Sequence, residues 1–567
     1  LHLLPHAAQA IPGRLRWCRR KGVRRILCTG GALQPSNWIQ CFGCRNPSGQ
    51  AWLCATLTHL DVPNWVGAVD RRPFVRTAAM FSIPLGVAVT LFAPMLNPRN
   101  QYFNDWVNSY WLILTADAST WPQWLLGDVR ELPALEPWFA YYGGNWFYLL
   151  SLLREVGLDP LLLYRASYLA LAILMALSVY GLAVKMGSAP WTSALLASVS
   201  VAFPYYLTNA YGRGAYSEFV FVSLLPVAVA SSVAFYTAKR TWSMAGAAVA
   251  VTVATALLLT THTASLIMVF DLWLAIVGLG IVALVTLRLL WPTDLEDLWA
   301  HLRRHWRRIS ALALLLTSAF LLAAPQLLIA LITAPTTRLA VNDTSYAYPE
   351  LSTLSEVFAP FPRVHEMSTT PDLKPQTATW LVVWLLVSVV FVWRFLPTKR
   401  RFALTFSLGL LAFAVAMASS WWLWLTLPDL MTAYQFPYRF VTYINYSLLL
   451  ASMVLLSSRY IRFGNGFART ITLVLFTSAV VVTLVTAVLQ VRSVDTFPDQ
   501  ADLAAINRSE LPPTWYAPDG SFRQFGAAQP GAPAFLTIEQ QTSDRLEASL
   551  TCTGDAATLI AAADSRP

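Results

Sequence analysis

Apolar runs of near 20 residues recur along the whole chain and are separated by short polar turns. Eleven can be marked, at roughly 77–95, 160–186, 190–208, 217–236, 242–261, 263–288, 309–332, 378–396, 403–424, 438–457 and 469–490. At about 1.5 Å of rise per residue, about 20 residues cross a hydrocarbon core of about 30 Å. The pattern predicts an all-α polytopic membrane protein with about 11 transmembrane helices. A further stretch, 138–153, is too short and too interrupted by glycine for a crossing. Its aromatic rings suit an interfacial or re-entrant position. The pattern changes again near the end, where 513–552 turns polar, carries the turn Pro518-Asp519-Gly520 and keeps only short apolar runs. That predicts the start of a small extracytoplasmic β tail domain, complete or cut short where the sequence stops.

Composition agrees. The 567 residues are 56% hydrophobic and 12% charged, whereas a soluble domain carries about 25% charge. Halving the charge over so long a chain leaves too little polar surface to cover a globule in water. Residues 1–75 stand apart: they lack amphipathic periodicity and hold five of the six cysteines, Cys18, Cys28, Cys41, Cys44 and Cys54. Cys41-Phe-Gly-Cys44 has zinc-like spacing without a second pair to complete a site. The segment reads as a poorly structured basic extension or a mis-assigned start, with a basic cytoplasmic tail and a zinc module as weaker alternatives. The expected organisation is 1–75 as that extension, 76–492 as the transmembrane domain with outer loops 96–159 and 333–377, and 493–567 as an extracytoplasmic tail with a partial β domain.

The net charge of +10 acts as an orientation signal. Placing the first segment inside-to-out puts Arg71, Arg72 and Arg76 in the cytoplasm, and every second loop is then basic. Lys185 follows the second segment, Lys239 and Arg240 the fourth, and Arg303, Arg304, Arg307 and Arg308 the sixth. Arg394, Lys399, Arg400 and Arg401 follow the eighth, and Arg459, Arg462 and Arg469 flank the loop after the tenth. This is the positive-inside pattern. The expected location is the bacterial cytoplasmic membrane, with a cytoplasmic N-terminus and an extracytoplasmic C-terminus. Basic loops beside apolar segments also meet membrane lipids. No nucleic-acid partner is expected, because no recognition motif accompanies the charge.

Once the chain is oriented, its unusual polar groups fall on the outer face. Asp105, in 102-YFNDWVNSYW, sits between aromatic rings that raise a carboxylate pKa and suit it to take a hydroxyl proton. The alternative is an interfacial Asp capping the next helix, and Asp117 and Asp128 compete for the role. Arg213 lies between two glycines in 211-YGRGAYSEF, just before a helix. Glycines permit close backbone approach, and a guanidinium beside a helix N-terminus suits a phosphate. Glu218, in the first turn, is favoured by the helix dipole or pairs with Arg213; a structural pair pinning the loop is the plainer account. His262 ends the fifth segment as a proton shuttle, a ligand or an ordinary interfacial histidine. Asp271 falls inside the sixth segment, where a charge costs about 2.5–3.5 kcal/mol. It is a functional candidate or half of a buried pair, with Arg165 as partner. The run 432-TAYQFPYRFVTYINYS places Arg439 at a helix entry behind Pro437, with Gln435 and Tyr438 beside it. Arginine among aromatics favours a sugar or phosphate, against simple snorkelling to the headgroups.

Taken in order, these motifs resemble bacterial membrane proteins with a "6-pyruvoyl-tetrahydropterin synthase-related" domain, which are similar to the GT-C superfamily of polytopic glycosyltransferases. Across roughly 77–520 the matching stretches are Asn104-Asp105-Trp106, Pro122-Gln123-Trp124, Tyr141-Tyr-Gly-Gly144, Arg213-Gly-Ala-Tyr-Ser-Glu218, Thr261-His262 and Gln435-Phe-Pro-Tyr-Arg-Phe440. The RGxxxE and QFPYRF matches are close. The family's HDxxxH motif has lost its first His to Asn104 and lacks its second, and PRW has become PQW. Seven scattered His do not form the zinc cluster of a pterin synthase.

The resemblance implies a GT-C-like fold and transfer of a hexosyl or pentosyl unit from a polyprenyl-phosphate-linked donor to an envelope glycan, lipid or protein outside the cytoplasmic membrane. Asp105 would be the catalytic base. Arg213, Arg439, Gln435 and Tyr438 would bind the donor phosphate, with Glu218, His262, Trp124 and Tyr141 in support. No cofactor and no metal ligand is assigned, although a divalent metal is compatible. The competing readings are a transporter or flippase of lipid-linked sugar intermediates and a non-catalytic GT-C-like assembly protein.

Overall fold

The structure is a computed structural model. It describes residues 16–18, 26–28, 44–45, 51–52, 72–97, 113, 143–290, 292–333, 351–361, 376–396, 398–427, 437–457, 466–493, 515–516, 522–523, 534–541 and 546–552. The chain divides into two units, Leu1–Arg72 and Pro73–Pro567. The first holds two short antiparallel ribbons: β1 (Arg16–Cys18) with β2 (Ile26–Cys28), and β3 (Cys44–Arg45) with β4 (Ala51–Trp52).

The second unit is helical. Its helices are α1 (Arg72–Phe92, beginning at the boundary), α2 (Gly144–Glu155), α3 (Pro160–Lys185), α4 (Pro190–Val201), α5 (Pro204–Leu207), α6 (Tyr216–Thr237) and α7 (Thr241–Thr261). They continue with α8 (Thr263–Leu290), α9 (Pro292–Thr333), α10 (Leu354–Val357), α11 (Thr379–Val392), α12 (Thr398–Ser419), α13 (Trp421–Thr426), α14 (Val441–Leu456) and α15 (Gly466–Ser493). Near the C-terminus β5 (Trp515–Tyr516) pairs with β6 (Phe522–Arg523), and β7 (Ala534–Gln541) pairs antiparallel with β8 (Leu546–Cys552).

Eight of the eleven expected segments are helices long and apolar enough to cross a membrane, and two more, in α8 and α11, are shorter apolar helices among the described residues. The chain is an all-α, multi-pass membrane protein. The exception is 190–208. Pro204 disfavours helical backbone at the residue before it, and Phe203 is extended at φ −60°, ψ 131°. Helix α4 stops after 12 residues, about 18 Å, too short to cross.

Local signals set the other ends. The Asp159 side chain accepts the Leu162 N–H at 2.7 Å with Pro160 at the first position of α3, the preferred start of a helix. Beyond α3 the chain turns at Gly187, where φ is +93°. A Cβ there would stand 3.0 Å from Ser457 Oγ, so glycine allows the turn to press on the end of α14.

Helix α14 is enclosed nearly throughout, packed by α4, α11 and α12. Helix α6 packs between α3 and α7, and α9 packs on α7. Aromatic rings fill the joint of α3 and α6: Tyr164, Tyr168 and Tyr216 lie 4.8–5.3 Å apart, and Tyr206 stacks on Phe219 at 4.4 Å. Outward faces carry exposed Val249, Ile281, Leu321, Leu331, Val390 and Val481, the surface that lipid covers.

The two ends of the bundle differ. At one end Arg400 Nη2 donates to the Met186 carbonyl at 3.4 Å, Ser457 Oγ to Gly187 at 3.5 Å, and Arg308 Nη1 to Tyr236 at 2.7 Å. Among the described residues, the turns after α3 and α6, the Arg308 stretch of α9 and the start of α12 therefore gather there. The other end holds the starts of α2, α6 and α14 and the end of α7.

Candidate functional site

That second end is where the polar motifs meet. After Pro204 the single turn α5 runs into a π turn, Thr208–Gly212, in which the Arg213 N–H donates to the Thr208 carbonyl at 2.8 Å. Such turns are rare and concentrate at functional sites. Gly214 then adopts φ +64°, left-handed backbone that glycine takes without steric penalty. The chain enters α6 at Tyr216, and Asn209 and Arg213 are folded back over the first turn of α6, where Glu218 sits.

Glu218 is the hub. Its Oε2 accepts from Arg213 Nη1 at 2.9 Å and faces Arg439 Nε at 3.3 Å. Its Oε1 accepts from the Tyr205 hydroxyl and, at 3.4 Å, from Asn209 Nδ2. Arg213 Nη1 also reaches Asn209 Oδ1 at 3.1 Å and the Tyr205 oxygen at 3.3 Å. Its guanidinium lies 5.3 Å from the centre of the Tyr438 ring, a cation–π contact. Arg439 and Tyr438 come from a single 3₁₀ turn, Pro437–Phe440, that leads into α14. Arg213, Glu218, Tyr438 and Arg439 are all buried. Charges so placed persist when paired and hydrogen-bonded, which this arrangement provides.

His262 breaks the chain between α7 and α8 at φ −157°, ψ 108° and is buried. Because α6 and α7 are antiparallel neighbours, the end of α7 returns His262 to the start of α6. Burial, with the Arg439 charge next and Arg213 behind it, lowers its pKa to about 3, against the pull of Glu218. The ring is therefore neutral at ordinary pH, one nitrogen a donor and the other an acceptor.

The surrounding frame is also polar. Gln326 of α9 accepts the Asn145 N–H at 3.2 Å and donates to the Thr260 carbonyl at 2.6 Å, joining the start of α2 to the end of α7. Trp146 Nε1 donates to the Tyr216 hydroxyl at 2.9 Å, which also meets Ser167 Oγ at 2.5 Å. Gly143, at φ +86°, lies where a Cβ would stand 3.4 Å from Ser217 Oγ. The glycine pair beyond Tyr141 is thus seated against α6.

Asp271 is fully buried in α8. Arg165, its expected partner, donates to the Met95 carbonyl at 3.2 Å and to that of Asn97, fastening the end of α1.

The structure brings together Arg213, Glu218, His262, Tyr438 and Arg439. All five are buried. Asp105, Trp124, Tyr141 and Gln435 lie outside the described residues, as do Asp117 and Asp128. Tyr205 and Asn209 were not anticipated; polar residues Thr208 and Asn209 beside a proline, inside an apolar run, are the signal that marks them. Among the described residues, no group of three or more His, Cys, Asp or Glu is placed to hold a metal ion.

No protein-family model matches the chain, and no curated protein matches it. The crystal structure of the Archaeoglobus fulgidus oligosaccharyltransferase in the apo form is similar at 14% identity and a TM-score of 0.38, over 74% of this chain and 56% of that one. The chain thus spans little more than half the length of that protein, and a superposition this loose carries no argument about chemistry. What the residues themselves establish is a multi-pass membrane protein with an Arg213–Glu218–Arg439 cluster buried at the end away from its basic turns.

Proposed function

We propose that the chain is a membrane glycosyltransferase of the GT-C kind, moving a hexosyl or pentosyl unit from a polyprenyl-phosphate donor to an envelope glycan, lipid or protein outside the bacterial cytoplasmic membrane. The observation that carries this reading is the convergence of Arg213 and Arg439, from separate segments, on one buried site among aromatic rings. Two guanidiniums recognise a phosphate by planar, charge-assisted hydrogen bonds, and rings beside them suit a sugar.

In the proposed reaction an acceptor hydroxyl attacks the anomeric carbon and Asp105 takes its proton. The bond from that carbon to the phosphate oxygen breaks, and the lipid phosphate leaves with the electron pair. Its charge rises from one to two, and Arg213 and Arg439 stabilise the increase. Glu218 holds both arginines in position, and neutral His262 supplies a hydrogen bond. Nothing in these steps requires a metal, and a divalent ion bound to the donor phosphate would be compatible with them.

The test is reconstituted protein given radiolabelled polyprenyl-phosphate sugar and an envelope extract. Label should pass to a new product, with transfer reduced at least about 10²-fold in Arg213→Gln, the scale of losing one transition-state donor, and abolished in Asp105→Asn. Donor held but never consumed by the wild type would sink the enzymatic reading. Asp271, buried in the apolar helix α8, favours a carrier of lipid-linked sugars as the second reading, because intramembrane carboxylates mark coupled transport. Donor flipping that survives Asp105→Asn and is lost in Asp271→Asn would decide for it.

A further inference from the structure

A basic patch set with tryptophans lies at the end of the bundle opposite the cluster. Two touching elements build it, the first turns of α9 and the turn between α6 and α7. Arg308 donates to the Tyr236 carbonyl at 2.7 Å, and the His305 and Tyr236 rings lie 5.7 Å apart. Those contacts use one side of α9. Elsewhere on this stretch of α9 Arg303, Arg304 and Arg307 are exposed, and Trp299 and Trp306 are 52% and 58% exposed. In the adjoining turn Lys239 and Arg240 are exposed, and Trp242 at the start of α7 is 90% exposed.

Helix α9 fixes the height of this patch. Residues 309–332 are predominantly apolar and extend about 36 Å as a helix, enough for a hydrocarbon core of about 30 Å. The arginines just before them therefore stand where hydrocarbon gives way to headgroups. Tryptophan, a large apolar ring with a single N–H donor, is favoured at that level. Two such rings, Trp242 and Trp306, turned outward among cations make poor sense against water and good sense against lipid. Guanidiniums bind phosphate oxygens in pairs.

We propose that this patch binds an anionic phospholipid. Arg303, Arg304 and Arg307, with Lys239 and Arg240, hold the headgroup phosphates, while Trp242 and Trp306 sit where the headgroups meet the upper acyl chains. The proposal rests on α9 crossing the membrane and is independent of sugar transfer.

The test is titration of the purified full chain, in nonionic micelles, with fluorescent phosphatidylglycerol and, separately, fluorescent phosphatidylcholine. Phosphatidylglycerol should bind at least about tenfold more tightly at moderate salt, with the preference shrinking as salt screens the charges. Arg303→Gln/Arg304→Gln/Arg307→Gln should bring the two lipids close to parity, since each basic residue near an anionic surface contributes about fivefold. If that variant does not fold, Lys239→Gln/Arg240→Gln, confined to an exposed turn, should still lower the preference by about fivefold or more. Equal binding of the two lipids by the wild type, or an unchanged preference in a folded variant, would overturn the proposal. So would competition by soluble glycerophosphoglycerol as effective as that of the intact lipid, because the membrane would then have no part in binding.

Discussion

Glu218 joins residues that arrive from three places in the chain, and its loss should be felt by all of them. Glu218→Gln leaves Arg213 and Arg439 facing a neutral amide in a buried site. Breaking a buried ion pair this way costs about 3–5 kcal/mol, so thermal unfolding in detergent should shift markedly downward. Arg213→Lys keeps the charge and loses the planar guanidinium whose Nη1 meets Glu218, Asn209 and Tyr205 and whose shape suits it to fork a phosphate. Transfer should fall by at least about tenfold while the fold survives, since the two cations are not interchangeable at such sites.

His262 gives a pH test. Its pKa is about 3 when folded and 6.5 when free, so between those values the unfolded chain takes up a proton that the folded chain refuses. Its contribution to stability is therefore fully present above about pH 6.5 and is lost as pH falls toward 3. Melting temperatures of wild type and His262→Gln, compared at pH 7.5 and pH 5, should show the wild type declining more on acidification. Equal declines would place the titration elsewhere.

At the scale of elements, long apolar runs read well because a helix that must satisfy its own backbone in lipid leaves little choice. The interruption at Pro204 read less well. A proline announces that α4 stops, but the π turn that follows depends on where Arg213 and Asn209 find a carboxylate, and Glu218 lies in the next helix. Glycine conformation is decisive at two points. Gly143→Ala would force a side chain onto φ +86° with its Cβ 3.1 Å from the Phe147 ring. Left-handed backbone costs an ordinary residue about 1–2 kcal/mol, so this variant should melt earlier. Gly214→Ala, at φ +64°, should carry a similar penalty and in addition weaken donor binding, because the turn that aims Arg213 passes through it. A Gly214→Ala protein that binds donor normally would show that the turn does not position the arginine.

For the whole molecule, the separation of basic turns from the polar cluster yields a topology experiment. Trp242 stands beside Lys239 and Arg240. Leu354 belongs to the opposite end, where Ser352 N–H donates to the Ala418 carbonyl at 3.0 Å and Thr377 hydrogen-bonds Asn445. With native cysteines replaced, Trp242→Cys should react with an impermeant maleimide only in inverted vesicles, and Leu354→Cys only in right-side-out ones. Labelling of both from one side would refute the expected orientation and, with it, an outward-facing site.

The sequence by itself determined the helical, membrane-spanning class, because spans of apolar residues near 20 long have one stable solution in lipid. It also marked the arginines, the glutamate and the histidine as unusual, through their placement at helix entries and exits. Only the tertiary structure decided that Arg213, Glu218 and Arg439 share one site, that Tyr205 and Asn209 complete it, and that Arg165 fastens a helix end. Spacing along a chain orders residues on one helix, whereas these contacts pass between helices whose packing is set by side chains far apart in sequence.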